Sequence, residues 1–224
     1  MNRCIRELVE IVAETLPISQ PIFEFGSFLV PAQRNIADLR PLFPNRKYVG
    51  CDMREGPGVD RVLDLHDIAL PSESVGTVLL FDTLEHVEFP HRALEEVFRI
   101  LQPNGLVAMS SVMDFPIHNY PQDYWRFTPE AFRSLLRRFP QSLVDSAGPA
   151  TFPHTIVGLG FKGSSLSLEP FVPELEKWKR RWWDRDGKSW AAVARRIAPP
   201  LLVDVYRKSR GPLLKLLEKI GVIR

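Results

Sequence analysis

SVGTVLLFD (residues 74–82) is a nearly continuous apolar run that ends on a carboxylate. A run of this kind, without polar alternation, reads as a strand buried on both faces of a parallel sheet. Upstream of it, PIFEFG (21–26), RKYVGCD (46–52) and DRVLDL (60–65) read as shorter strands, each stopping at a glycine or close to an acidic residue. Downstream, LVAMSSVM (106–113), SLVDSAG (142–148) and HTIVGLGFKG (154–163) bring the count to seven. Apolar residues at helical spacing predict helices between them. One leads in over 2–15, with Ile5, Leu8, Val9 and Val12 on one face, and others cover 32–43 and 90–101. A further helix starts behind Thr128 and Pro129, an N-cap residue followed by a proline at the first helical position. QPNG (102–105) reads as the break between the 90–101 helix and the next strand. Strands alternating with helices point to a doubly wound α/β sheet with right-handed crossovers.

Length and charge divide the chain. Its 224 residues suit one domain and an appendage. A composition 45% hydrophobic and 25% charged excludes a disordered or collagenous chain. The formal charge of +2 is unevenly spread: residues 1–160 hold 14 basic and 20 acidic side chains, and residues 161–224 hold 15 and 7. The expectation is a Rossmann-like domain over 1–163, with a seven-stranded, mostly parallel sheet and helices on both faces, and a basic amphipathic helical extension over 164–224. In the extension Leu175, Trp178, Trp182 and Trp183 share one helical face, with basic residues opposite. Three readings fit it: helices that pack on the core or dimerise, a helix lying on an anionic membrane surface, or a nucleic-acid contact. The last is disfavoured by the acidic residues that dilute the tail. Cys4 and Cys51 cannot form a disulfide framework, and no Cys/His spacing suits structural zinc, so no metal is expected. The first residues lack the apolar core of a signal peptide, and no run of about 18 apolar residues occurs. A cytoplasmic protein is the expectation.

Ligands of open α/β sheets sit outside the carboxyl ends of the strands, where the strand order reverses. Gly26 ends the first strand and lets backbone approach a ligand closely. Asp52 ends the second and is suited to accept both hydroxyls of a ribose, as the acidic residue of dinucleotide sites does. Asp64 can accept from an adenine amino group while Leu65 packs on the ring face. The turn after the first strand reads Gly26-Ser27-Phe28-Leu29-Val30, without G-x-G-x-x-G, which disfavours a dinucleotide but not a nucleoside.

Five stretches together resemble the class I S-adenosylmethionine-dependent methyltransferases: IFEFGS (22–27), YVGCDM (48–53), DLHDIALPSESVGTVLLFDTLEHV (64–87), ALEEVFRILQPNGLVAMSSV (93–112) and YPQDYWRFTPEAF (120–132). The likeness covers roughly residues 20–162 and is similar to a bacterial subgroup of the type 11 kind. It implies S-adenosylmethionine as cofactor. Glu24, Gly26 and Ser27 would lie at its methionyl part, Asp52 at the ribose, Met53 beside the adenine and Asp64 and Leu65 on it. Asp82 and Thr83 would line the sulfonium end. Phe28 and Val30 stand where the family pattern has two further glycines.

The loop DFPIHNYPQDYWRF (114–127) follows the fifth strand, where such proteins shape the acceptor pocket. An oxygen acceptor needs a base to take its proton. His118, Asp123 and Tyr124 are the candidate catalytic residues. His86 and Arg126 are the candidates for substrate binding, Arg126 as the partner of an anionic group. The expected function is methyl transfer to a small molecule, by O-methylation of a sugar or glycan precursor. A non-catalytic binding or scaffold domain with a degenerate methyltransferase fold remains the alternative.

Overall fold

The computed structural model describes residues 2–118 and 121–183. Seven strands form one sheet in the order β3-β2-β1-β4-β5-β7-β6. They are β1 (Ile22–Phe25), β2 (Tyr48–Asp52), β3 (Arg61–Val62), β4 (Val75–Phe81), β5 (Leu101–Val112), β6 (Gln141–Ala147) and β7 (Thr155–Phe161). The first five run parallel, and β7 pairs antiparallel with both β5 and β6. The α-helices are α1 (Arg3–Thr15), α2 (Arg34–Ala37), α3 (Pro90–Ile100), α4 (Pro129–Leu135) and α5 (Val172–Arg181).

Alternation along the strands builds two cores, one on each face. Phe23 and Phe25 of β1, Val78 and Leu80 of β4 and Val107 and Met109 of β5 meet Ala93, Leu94 and Val97 of α3 and Phe132 and Leu135 of α4. Their neighbours Ile22, Leu79, Phe81, Leu106 and Ala108 turn the other way, toward Ile5, Leu8, Val9 and Val12 of α1 and Leu175 and Trp178 of α5. Both faces of β4 are buried throughout, as the run at 74–82 predicts.

Asn2 caps α1 by accepting the Ile5 N–H at 3.1 Å. On the same face lies α5, whose Trp178 is 1% exposed and donates its indole N–H to the Cys4 carbonyl at 2.8 Å. Beside it the Trp182 indole donates to Glu7. The apolar face of 172–183, read from sequence as a candidate membrane-binding face, is therefore the face by which α5 docks. The core does not stop at residue 163. The remaining readings of the extension, membrane contact and dimerisation among them, fall on residues 184–224 and lie outside the described residues. Among the described residues no helix is long and apolar enough to cross a membrane.

Three local expectations are corrected. The helix expected over 32–43 is broken into a 3₁₀ turn at Pro31–Gln33, the short α2 and a second 3₁₀ turn at Arg40–Leu42. Pro41 disfavours helical backbone at Arg40 and offers no N–H, and the Asp38 carboxylate takes the Arg40 N–H instead. The third strand shrinks to Arg61–Val62, because Asp64 accepts the His66 N–H and turns the chain. QPNG does not end in a loop: it lies within β5 as a bulge, where the pairing jumps from Val75↔Leu101 to Thr77↔Leu106 and Asn104 takes φ 63°.

Candidate functional site

The strand order reverses between β1 and β4, so the crevice outside their carboxyl ends is where a ligand belongs. Gly26 closes β1 at φ +85°, in the left-handed region that favours glycine. A Cβ there would stand 2.4 Å from the Thr83 hydroxyl, so the bare backbone of one turn fits the side chain of the next. Gly26 is exposed, and its N–H and that of Ser27 both donate to the Cys51 carbonyl. The Ser27 hydroxyl lies 3.1 Å from the Cys51 and Gly58 carbonyls, and the Thr83 hydroxyl 3.0 Å from that of Phe25. Both side chains, expected to face the cofactor, are directed at backbone and set the shape of the loops around the crevice.

Glu24 behaves in the same way. It is 4% exposed and accepts from the Tyr48 hydroxyl at 2.7 Å, on the face covered by α1 and the 31–43 segment. Burial pushes its carboxyl up to about 7, against the lowering effects of the Tyr48 hydrogen bond and the Arg40 charge.

Asp52 ends β2 with its side chain only 10% exposed. One of its oxygens accepts the Arg54 N–H at 3.1 Å. The Arg54 Nε lies 3.5 Å from the same oxygen, buried and without a hydrogen-bond partner. The Arg54 guanidinium lies 4.8 Å from the centre of the Phe28 ring, and that ring rests on Gly56, where a Cβ would meet it at 2.2 Å. Phe28 thus fills the space between the first and second loops. Met53 is 59% exposed at the rim, and Leu65 is buried. Asp64 is exposed. Burial works to raise its carboxyl, but hydrogen bonds from the His66 backbone and ring, both 2.8 Å, hold it below the ordinary range.

Across the crevice, Asp82 turns the chain at φ +50° and accepts the Ser110 hydroxyl at 3.0 Å. The next turn, Leu84–His86, carries Glu85, which lies in the matching stretch 64–87 with no role assigned to it from sequence. Glu85 is 1% exposed, and its carboxylate accepts the Ser111 hydroxyl at 2.7 Å. Burial, then the nearby Asp82 charge, pushes its carboxyl upward. The Glu85 carbonyl accepts the N–H groups of Tyr124 and Trp125, stitching the 114–127 loop to this turn. His86 Nδ1 bonds the Gln122 carbonyl and its ring meets that of His118 edge-on, centroids 4.8 Å apart. Burial holds His86 below its ordinary value, keeping it neutral near pH 7.

The loop itself is pinned by Arg126. Its guanidinium grips both oxygens of Asp123 and also reaches the carbonyls of Phe115, Pro116 and Trp125. Those contacts occupy the guanidinium that the sequence offers to an anionic substrate group. They also recast Asp123, whose side chain is 1% exposed. The Arg126 pairing keeps its carboxyl well below the usual carboxylate range, which makes it a poor proton acceptor. Asp123 instead accepts the His118 N–H at 2.7 Å and positions that histidine. Tyr124 is 43% exposed at the surface of the loop.

The site residues therefore sort into two groups around one crevice. Gly26, Asp52, Met53 and Asp64 follow β1, β2 and β3, and Asp82, His86, His118 and Tyr124 follow β4 and β5. A bare glycine turn, a largely buried carboxylate and an orphaned buried donor at Arg54 beside it suit the diol and polar atoms of a nucleoside. These residues fit S-adenosylmethionine.

The chain matches known proteins in one family model and in its fold. Residues 34–109 match the family model of the methyltransferase domain. No curated protein sequence matches the chain. Among solved structures, a Thermotoga maritima S-adenosylmethionine-dependent methyltransferase is 20% identical, with a TM-score of 0.53 over 71% of this chain and 89% of its own. The Burkholderia thailandensis 1,6-didemethyltoxoflavin-N1-methyltransferase, solved with its substrate and S-adenosylhomocysteine, is 18% identical, with a TM-score of 0.52 over 72% and 79%. A chain of the Haloferax volcanii complex between the Trm112 methyltransferase activator and a methyltransferase is 17% identical, with a TM-score of 0.53 over 72% and 90%. At these identities the structures speak for the fold, and the family model for the domain. Together they place residues 34–109 in a methyltransferase domain, on the fold shared with solved S-adenosylmethionine-dependent methyltransferases.

Proposed function

We propose that the chain transfers the methyl group of S-adenosylmethionine to a hydroxyl of a small molecule, a sugar or glycan precursor. What supports the reading is the pairing, across one crevice, of the Gly26–Asp52 cradle with the polar pocket made by Glu85, His86 and His118. Asp52 would accept the ribose hydroxyls, and Asp64 the adenine amino group. Met53 and Leu65 would flank the ring. Asp82 would set a negative charge near the sulfonium. Glu24, Ser27 and Thr83 would hold the loops in register.

Bound S-adenosylmethionine would supply an electrophilic methyl group, and the chain's part would be to hold the acceptor oxygen in line with it. The acceptor proton leaves to an imidazole of the His86–His118 pair. Positioning supplies much of the acceleration in such a displacement. A second reading, a binding domain that keeps the fold without the chemistry, draws on Phe28, which fills space where the family pattern has glycine.

Transfer of a tritiated methyl group to a panel of sugars and lipid-linked glycan precursors tests the proposal. Label in a hydroxyl acceptor, lost in Asp52→Ala, supports it. Intact cofactor binding with no label in any hydroxyl acceptor contradicts it.

A further inference from the structure

The acceptor side of the crevice holds one cluster whose donor set suits more than proton transfer. Glu85 and His86 sit on the turn after β4, and His118 on the loop after β5. Their ligand-bearing atoms all lie within 4.8 Å of one another. The two turns are stapled together by the Glu85 carbonyl, which takes the Tyr124 and Trp125 N–H groups.

Each imidazole is oriented by its other nitrogen. His86 Nδ1 faces the Gln122 carbonyl, and His118 Nδ1 lies 3.2 Å from both the Pro116 carbonyl and Asp123. Carbonyl and carboxylate oxygens only accept, so in both rings Nδ1 is the donor toward them, which leaves Nε2 as the nitrogen free to face a ligand. Histidines that bind metals are held by such a bond from the far nitrogen to a carbonyl or carboxylate. Glu85 supplies the third donor. Buried at 1% exposure beside Asp82, its carboxylate is met by the Ser111 hydroxyl, a weak partner for a charge removed from water.

We infer that Glu85, His86 and His118 form a binding site for one divalent transition-metal cation, zinc being the simplest occupant. Two imidazole nitrogens and one carboxylate are a donor set for such ions, and they leave a coordination position open. With zinc bound the two imidazoles would no longer take the acceptor's proton; a hydroxyl filling the open position would instead lose it more readily, to solvent. Ligand atoms around a tetrahedral zinc lie roughly 3.4 Å apart. Binding therefore draws the three together, with the 114–127 loop supplying the movement. Asp123, clamped by Arg126, is the positioning residue for His118.

The inference goes beyond the methyl-transfer reading and is tested without cofactor or acceptor. The full chain, freed of metal with a chelator, is titrated calorimetrically with zinc chloride. One saturable zinc per chain is expected. His86→Gln and His118→Gln should each weaken it at least tenfold, and Asp123→Asn by about tenfold. His91→Gln, on the exposed face of α3, should leave binding unchanged. The cobalt(II) form of the unaltered chain gives a readout independent of any variant's folding. Intense visible bands of a four- or five-coordinate ion are expected. The weak bands of the hydrated ion, or zinc binding that survives His118→Gln in full, would overturn the inference.

Discussion

Gly26 and Thr83 share one space: the Thr83 hydroxyl lies 2.4 Å from where a Cβ on Gly26 would stand. The cofactor-side turn after β1 and the acceptor-side turn after β4 therefore lock against each other. Gly26→Ala should destabilise the fold by about 1–3 kcal/mol, through strain at φ +85° and overpacking against Thr83. Thr83→Ala in the same chain should restore part of the loss. A denaturant-melt double-mutant cycle should give a coupling of at least about 0.5 kcal/mol. Additive effects would show that the two turns do not share this space.

The docking of α5 rests on Trp178, buried at 1% and hydrogen-bonded to Cys4. Trp178→Ala should cost about 3–5 kcal/mol of stability, the range for deleting a large buried aromatic side chain. Urea unfolding followed by circular dichroism reads this directly. A change below about 1 kcal/mol would place the tryptophan outside the core.

Glu24 makes stability depend on pH. Its carboxyl is raised from 4.5 to about 7 in the folded chain, so between these values the folded state holds more proton than the unfolded one. Stability is then fullest below pH 4.5, as far as this group is concerned, and falls as pH rises through about 7. The fall attributable to Glu24 is roughly 3 kcal/mol at most. Glu24→Gln, whose amide oxygen can still accept from Tyr48, should flatten this part of the profile. A Gln variant with an unchanged slope between pH 5 and 7 would assign the dependence to other groups.

Much of this architecture was legible in the sequence, and the misses have physical causes. The 74–82 run announced a strand buried on both faces because no polar residue interrupts it. Gly26 and Asp52 were legible as strand-end residues, since topology alone brings strand ends to the crevice. The break-up of the 32–43 helix was encoded in Pro41, but helical spacing of apolar residues outweighed it. Trp178 and Leu175 left core packing and membrane contact both open, because an amphipathic helix presents the same pattern to a core as to a membrane. Glu85 went unnoticed. It borders His118 only through a loop closure, and 33 positions of sequence separate the two. Ser27 and Thr83 had the right chemistry to touch a ligand, yet their hydroxyls are taken up by carbonyls that no pattern reveals.

The central claim is that the Gly26–Asp52 cradle holds S-adenosylmethionine, and calorimetry with S-adenosylhomocysteine on the full chain tests it most directly. One site per chain is expected, with Asp52→Ala weakening binding at least tenfold because the ribose hydroxyls lose their acceptor. A well-folded chain that fails to bind at millimolar ligand, or an Asp52→Ala variant with unchanged affinity, would contradict it.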